Sequence, residues 1–246
     1  MRQIKLLKYT IPVIIAFLVC NNIYAKRKVT FIAEDGVTVT ADLYFKDNNY
    51  PYVLLFHQDG SSRGEYNEIA EKIYNLNYNC LAVDLRYGDK MNFTENETAL
   101  NARRNNIPHK IIDAEKDIVA AIEYVFKKSD TSVILFGSSS SASLCFKVAL
   151  NNPRVKAVVT FGIGEYLKPD YLIADNIKNF YKPLFIATNK SEYPFVEEMI
   201  SGKNMDNINV FIPANGMGEH GAKALWKPSV NSNEYWLALL MFFSKL

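Results

Sequence analysis

The chain has 246 residues, of which 49% are hydrophobic and 22% are charged. This is the composition of a soluble globular protein with a sizeable core, and it excludes a disordered chain. The formal net charge is only +2, which excludes the strongly basic surface that nucleic-acid binding requires. We therefore expect no nucleic-acid partner.

The first 25 residues have the layout of a secretory signal peptide. They include three basic residues, Arg2, Lys5 and Lys8. An apolar run at 10–20 follows, which is too short to cross a bilayer comfortably, and a polar stretch then ends in the small residue Ala25. We predict cleavage after Ala25 and export of the mature chain, residues 26–246, to the periplasm or the medium.

Two other fates of this segment stay open. One is an uncleaved membrane anchor. The other is lipid attachment through Cys20, which is disfavoured because the bulky Val19 stands where a small residue is expected. Cleavage would leave a mature chain with a formal charge close to −1 and no stable membrane insertion.

Strand-like and helix-like segments alternate along the rest of the chain. The first two strands, at 29–32 and 37–44, flank Glu34-Asp35-Gly36 and form a predicted hairpin. Further strands are predicted at 52–56, 80–85, 133–136, 155–161, 183–188 and 208–212. Helices are predicted at 66–76, 114–126, 142–150, 195–200 and 234–246, and the Asn-rich stretch 88–108 is predicted to be a long loop.

A hairpin followed by repeated β-α units predicts a single α/β domain over residues 26–246. Its central sheet would be mostly parallel, with helices on both faces and no large lid. In such sheets the functional site lies beyond the carboxyl ends of the strands. The residues that follow each strand are therefore the candidates for function.

A run of serines follows the predicted strand at 133–136, in the sequence Gly137-Ser138-Ser139-Ser140-Ser141-Ala142. A nucleophilic serine on a tight strand-to-helix turn needs small residues two places before and after it. Gly137 and Ser141 meet this condition around Ser139. Ser140 is the alternative nucleophile, although Gly137 then has no role. A serine-rich cap of the following helix is the non-catalytic interpretation.

His220 is the predicted general base for this serine. It lies in a glycine-flanked loop, 215–221, after the last predicted strand. His57 ends the strand at 52–56 but precedes a different loop, and His109 follows a proline in the long polar stretch, where we expect a surface residue.

The base needs a carboxylate to orient it, and Glu192 is the candidate. It lies a few residues beyond the strand at 183–188 and between Ser139 and His220 in chain order, which is the order of α/β-hydrolase triads. Glu197 and Glu198 are alternatives on the next predicted helix.

An oxyanion hole completes the expected site. One donor would be the backbone N–H of Ser140, the residue after the nucleophile. The other would come from the loop after the strand at 52–56, with Gln58 or Asp59 as candidates.

Residues 28–246 resemble the α/β-hydrolase superfamily, nearest to its small dienelactone-hydrolase-like and esterase members. The resemblance is carried by His57-Gln58 with the loop 60–64, Asp84-Leu85-Arg86, the run 137–141 and Glu219-His220-Gly221. It implies an α/β-hydrolase fold and a triad formed by Ser139, His220 and Glu192. Three departures stand out: Ser141 replaces the usual glycine, Gln58 replaces a glycine common after His57, and the acid is a displaced glutamate.

The resemblance implies hydrolysis of a small or accessible ester through an acyl-enzyme, without a cofactor. We expect no metal, since no two histidines have ligand spacing. Aromatic residues of the segment 162–182 are predicted to wall a shallow pocket: Tyr166, Tyr171, Phe180 and Tyr181. The alternative function is a non-catalytic protein of the same fold that binds a ligand or partner.

Overall fold

An eight-stranded sheet organises the computed structural model of the chain, which describes residues 26–203 and 205–246. Its strands are β1 (Lys26–Ile32), β2 (Thr38–Tyr44), β3 (Tyr52–Phe56), β4 (Asn79–Val83), β5 (Val133–Ser138), β6 (Val155–Phe161), β7 (Leu184–Ala187) and β8 (Ile208–Phe211). Their order in the sheet is β1-β2-β4-β3-β5-β6-β7-β8. The pairs β1–β2 and β2–β4 are antiparallel and all other pairs are parallel. The predicted hairpin and mostly parallel sheet are confirmed.

Helices cover both faces of this sheet. They are α1 (Asn67–Asn75), α2 (Glu97–Arg104), α3 (Glu115–Ser129), α4 (Ser140–Asn151), α5 (Ile173–Asn176), α6 (Tyr193–Ile200) and α7 (Ser232–Phe243), with 3-10 turns at Arg63–Tyr66, Ile112–Ala114, Ile177–Asn179 and Gly221–Leu225. Side chains of β3 alternate between the two resulting cores, since Leu54 packs in the cluster that contains Ile118 of α3, and Leu55 in the cluster that contains Ile69 of α1.

The stretch predicted as a loop at 88–108 contains α2, so that prediction was wrong. The Asn96 side chain accepts a hydrogen bond from the Ala99 backbone N–H at 2.8 Å and caps the helix. The buried Thr98, Ala99 and Ala102 form its inner face. Asparagine signals a loop and a helix cap equally well, and a helix of two turns with small buried residues has little apolar periodicity.

Buried ion pairs hold the loops at the carboxyl edge of the sheet. The Arg86 side chain is fully buried and contacts Asp35 at 2.6 Å and Asp117 at 2.8 Å. Arg63 pairs with Asp84, which directly follows β4. The Asp84-Leu85-Arg86 motif thus serves structure, because both of its charges are used in fixing the loops around the site.

The predicted signal segment, with Ala25 and Cys20, lies outside the described residues, and its cleavage stays a prediction. Across residues 26–203 and 205–246, none of the helices has the length and apolar character needed to span a bilayer.

Candidate active site

Ser139 lies on a strained turn between β5 and α4. Its backbone has φ 56° and ψ −119°, a conformation that non-glycine residues rarely adopt and that strand-to-helix nucleophile turns impose. A Cβ atom on Gly137 would lie 2.5 Å from the Ala142 Cα, so only glycine fits two places before Ser139. The Ser139 N–H donates to the Phe161 carbonyl at 2.8 Å and ties the turn to β6.

Ser141, which departs from the glycine that the resemblance implies, forms hydrogen bonds that close the turn. Its hydroxyl donates to the Phe56 carbonyl at 2.6 Å and accepts the Ser138 N–H at 2.8 Å. These bonds connect the turn to the end of β3 across the sheet. Serine in place of glycine at position 141 is therefore compatible with the tight turn.

A continuous hydrogen-bond chain joins Ser139, His220 and Glu192. The Ser139 Oγ lies 2.8 Å from His220 Nε2, and His220 Nδ1 lies 2.6 Å from Glu192 Oε1. The hydrogen bond to the Glu192 carboxylate raises the pKa of His220 above its ordinary value. This is the relationship between nucleophile, base and orienting acid that acyl transfer needs.

The neighbouring serines are engaged elsewhere. The Ser138 Oγ accepts the Ala222 N–H at 2.9 Å, and the Ser140 Oγ lies 3.2 Å from the Tyr87 hydroxyl. Among the described residues, Ser139 is thus the one member of the run 138–141 whose hydroxyl contacts a histidine.

Glycines on two loops let the His220 ring approach Ser139. Gly221 has φ +70°, and a Cβ there would meet Gln58 Oε1 and Ser138 Oγ, each at 2.7 Å. Gly162 also has φ +70°, and a Cβ there would lie 2.9 Å from the His220 ring. A side chain at Gly162 would meet the imidazole directly, and one at Gly221 would crowd Gln58 and Ser138 beside the residue that follows His220.

Glu192 immediately precedes α6, and its backbone N–H donates to the Asn189 side chain at 2.9 Å. The alternative acids lie further along that helix. Glu197 accepts a hydrogen bond from the Tyr193 hydroxyl at 3.2 Å, and Glu198 is exposed and makes no contact with His220. The structure thus brings Glu192, and neither alternative, to the imidazole.

The other two histidines are placed for different purposes. His57 is fully buried, and its Nε2 accepts the Leu85 N–H at 2.9 Å. Its Nδ1–H therefore donates to the Gln58 carbonyl at 2.8 Å. Burial lowers the pKa of His57 to about 4, so the ring is neutral at pH 7. His109 is exposed, as predicted.

Gln58 and Asp59, the two candidate oxyanion donors on the loop after β3, differ in whether their N–H groups already have a hydrogen-bond acceptor. The Gln58 N–H already donates to Glu65 Oε2 at 3.0 Å. The N–H groups of Asp59 and Ser140 donate to no protein atom within the described part of the chain. The backbone N–H groups left free to donate to an oxyanion are therefore those of Asp59 and Ser140, whereas that of Gln58 is already engaged. Sequence alone could not separate Gln58 from Asp59, because the partner Glu65 lies on a different turn.

A cavity of about 500 Å³ opens beside Glu192. Of the four aromatic residues predicted to wall a pocket, Tyr166 lines this cavity. Phe180 is instead buried and stacks on Phe146, with ring centroids 4.7 Å apart, and Tyr181 is 72% exposed. Tyr171 lies beside the Lys147 side chain, away from this cavity.

In the described residues, no group of three or more His, Cys, Asp or Glu side chains could hold a metal ion.

Comparison with known proteins places this site in a family. The model of the dienelactone hydrolase family matches residues 35–196. No curated protein matches the sequence. Among solved structures, an esterase from Pyrococcus furiosus is 15% identical with a TM-score of 0.66, over 90% of this chain and 91% of that one. A dienelactone hydrolase from Anabaena variabilis is 20% identical with a TM-score of 0.64, over 89% of this chain and 95% of that one.

At these identities the solved structures establish the fold, which is the predicted α/β-hydrolase fold. Only α5 and a short 3-10 turn, Ile177–Asn179, intervene between β6 and β7, so no large lid lies over the described part of the molecule. The family match extends from the turn after β1 into α6 and includes Ser139 and Glu192. The chain belongs to the dienelactone hydrolase family, whose members are hydrolases of the α/β-hydrolase fold.

Proposed function

We propose that the protein is a serine hydrolase that cleaves small or accessible carboxylic esters. The observation that carries the proposal is the hydrogen-bond chain from Ser139 Oγ through His220 to Glu192, set on a strained turn. The family match supports a hydrolase, and the hydroxyl nucleophile supports acyl transfer.

The proposed reaction proceeds in two steps. His220 Nε2 accepts the Ser139 proton while Oγ attacks the ester carbonyl carbon, and the carbonyl oxygen becomes an oxyanion. The N–H groups of Asp59 and Ser140 donate to that oxyanion, each contributing a factor of roughly 10² to 10³ in rate. His220 then gives its proton to the leaving alcohol, and water repeats the sequence on the acyl-enzyme.

A fluorophosphonate probe tests this function without knowledge of the substrate. An activated serine attacks the phosphorus and releases fluoride, so the folded protein should acquire one covalent adduct. Hydrolysis of phenyl acetate provides the turnover readout. A folded protein that acquires no adduct and hydrolyses no ester would instead support a non-catalytic binding protein of the same fold.

Ester hydrolysis should slow as the pH falls through the pKa of His220, because only the neutral imidazole accepts the Ser139 proton. The hydrogen bond to Glu192 raises that pKa. In Glu192→Gln the carboxylate charge is gone, the pKa of His220 falls, and the acidic limb of kcat/KM should move to lower pH. The residual hydrolysis of 4-nitrophenyl acetate between pH 4 and 8 measures the shift. An unmoved limb would mean that a group other than His220 titrates.

Export is proposed separately, on the basic start and apolar run of residues 1–25. N-terminal sequencing of the protein recovered from its native host should begin at Lys26. Recovery of Met1 on a membrane-embedded product would contradict cleavage after Ala25.

A further inference from the structure

We propose that the cavity beside Glu192 receives the alcohol part of the ester and favours neutral or cationic alcohols over anionic ones. This rests on the proposed function, because it assigns a leaving-group site to the same triad.

The cavity lies beside the carboxylate that contacts His220, while Ser139 and His220 themselves are not among its lining residues. Ile163 and Gly164 line it and directly follow Gly162, which packs against the His220 ring. Glu192 also lines it and holds the ring nitrogen that faces away from Ser139. His220 gives its proton to the leaving oxygen, so the alcohol departs beside the ring that Glu192 holds and Gly162 packs against. On this ground we assign the cavity to the alcohol and not to the acyl group.

Its walls are mainly apolar and suit an aromatic or aliphatic alcohol. Ile163, Ala174 and Met199 provide aliphatic surface. The rings of Tyr166 and Phe195 also line it, with 42% and 72% of these residues exposed. Large apolar side chains left accessible at a cavity beside reactive groups are typical of ligand sites. Their coverage by a bound alcohol would contribute to binding.

The charges around the cavity are predominantly negative. Three carboxylates line it, those of Glu165, Glu192 and Glu198, against one ammonium group, that of Lys168. The Glu165 carboxylate accepts the N–H groups of Ile173 and Ala174, each at 2.8 Å. Within the described residues, neither Glu165 nor Glu198 forms an ion pair. An anionic alcohol would therefore meet net repulsion, and a cationic alcohol net attraction.

Three acetates with different alcohol charges provide the test. They are phenyl acetate, 4-acetoxybenzoate and 3-acetoxyphenyl-trimethylammonium, which share the acyl group and an aromatic ring. Each kcat/KM is divided by the rate of hydroxide-catalysed hydrolysis, which removes differences in intrinsic reactivity. At low ionic strength we expect the anionic ester to be disfavoured about threefold to tenfold relative to the neutral one. The cationic ester should be hydrolysed at least as well as the neutral one.

A matched pair of charge reversals on α6 locates the effect. Glu198→Lys places a cation at the cavity and should raise the anionic-to-neutral ratio by about threefold to tenfold, with a smaller change in concentrated salt. Glu197→Lys makes the same charge change one residue away, where the native side chain contacts Tyr193 and does not line the cavity. It should leave the ratio near that of the unmodified protein.

Equal ratios in Glu198→Lys and Glu197→Lys would overturn the alcohol site, as would normalised rates that do not depend on alcohol charge. Both outcomes leave the proposed function standing, because phenyl acetate is still hydrolysed. A folded protein that hydrolyses none of the three esters and takes up no fluorophosphonate would instead remove the proposed function, and the alcohol site with it.

A separate observation concerns Glu65, which we infer is a positioning residue for the oxyanion hole. Its side chain is completely buried, and its Oε2 accepts the Gln58 N–H at 3.0 Å. His57 holds the Gln58 carbonyl at 2.8 Å. That carbonyl and the Asp59 N–H belong to one planar peptide and point in opposite directions. Glu65 and His57 therefore fix the direction in which the Asp59 N–H points.

Glu65 also lies beside the two other loops of the site. Its backbone carbonyl accepts the indole N–H of Trp226 at 2.9 Å. The nearby Ser138 hydroxyl lowers the pKa of the Glu65 carboxyl, although burial raises it more. The same hydroxyl accepts the Ala222 N–H from the loop that carries His220. Glu65 thus lies where the loop after β3, the turn that carries Ser139 and the segment after His220 meet.

Two conservative variants test whether the length of the Glu65 side chain or its carboxyl group is what positions the Gln58 peptide. Glu65→Gln keeps the length and an oxygen acceptor for the Gln58 N–H, whereas Glu65→Asp keeps the carboxyl group but shortens the side chain. With active sites counted by fluorophosphonate, Glu65→Asp should lower kcat about tenfold or more with little change in KM, and Glu65→Gln should retain most of it. Loss of folded protein alone, with kcat per titrated site unchanged in Glu65→Asp, would overturn the positioning role. So would a larger loss of kcat in Glu65→Gln than in Glu65→Asp.

Discussion

Replacing Ser139 with alanine is expected to abolish fluorophosphonate labelling and to reduce ester turnover by at least about a thousandfold. The reason is geometric, because Ser139 has the only hydroxyl of the described run 138–141 that contacts His220, at 2.8 Å. The fold should survive, since removal of the hydroxyl leaves the backbone bond from the Ser139 N–H to Phe161 in place. Circular dichroism and a thermal melt of the variant check that point.

The neighbouring serines provide the controls for this experiment. Ser140→Ala keeps the backbone N–H that we propose donates to the oxyanion and loses only a contact with Tyr87. Ser138→Ala loses the acceptor for the Ala222 N–H, which costs on the order of 1 kcal/mol of stability. Both variants should keep labelling, with activity reduced far less than in Ser139→Ala.

Mass spectrometry of the labelled peptide locates the adduct directly. An adduct on Ser140 would shift the site by one residue and make Ser141 the second oxyanion donor. Absence of any adduct on the four serines, in protein shown to be folded, would support the non-catalytic alternative.

The strained turn that carries Ser139 could be predicted because its determinants are local. Gly137 lies two residues from Ser139, and the close approach of Gly137 to Ala142 requires glycine whatever the rest of the chain does. Apolar runs of strand length identified the buried strands for the same reason. The buried strands and the turn that carries Ser139 could therefore be predicted from patterns confined to a few consecutive residues.

Features that depend on distant partners could not be predicted. The Gln58 N–H is engaged only because the turn Arg63–Tyr66 brings the Glu65 carboxylate beneath it. His57 is buried against Leu85, a residue that no local pattern associates with it. Phe180 packs in the core and not at the site, since α4 presents Phe146 to it. In each case the decisive contact joins separate segments of the chain.

Replacing Glu192 with alanine is expected to lower kcat by roughly 10³- to 10⁴-fold. His220 becomes an imidazolium when it accepts the Ser139 proton, and without Glu192 nothing at 2.6 Å from Nδ1 stabilises that charge or holds the ring in orientation. Substrate binding should change little, because the loss is in the transition state. The fold should persist, since the Glu192 side chain is partly exposed and its backbone N–H still donates to Asn189.

The matched control is Glu197→Ala, which removes a carboxylate from α6, the helix that Glu192 precedes; the Glu197 side chain contacts Tyr193 instead of the imidazole. It should keep nearly full activity on phenyl acetate. Glu192→Asp should fall between the unmodified protein and Glu192→Ala, because the shorter side chain retains a carboxylate but draws it back from Nδ1. If Glu192→Ala were fully active while Glu197→Ala or Glu198→Ala was not, the orienting acid would lie on α6 beyond the loop. The carboxylate that orients His220 during the reaction would then not be Glu192, the one that contacts its ring in the structure.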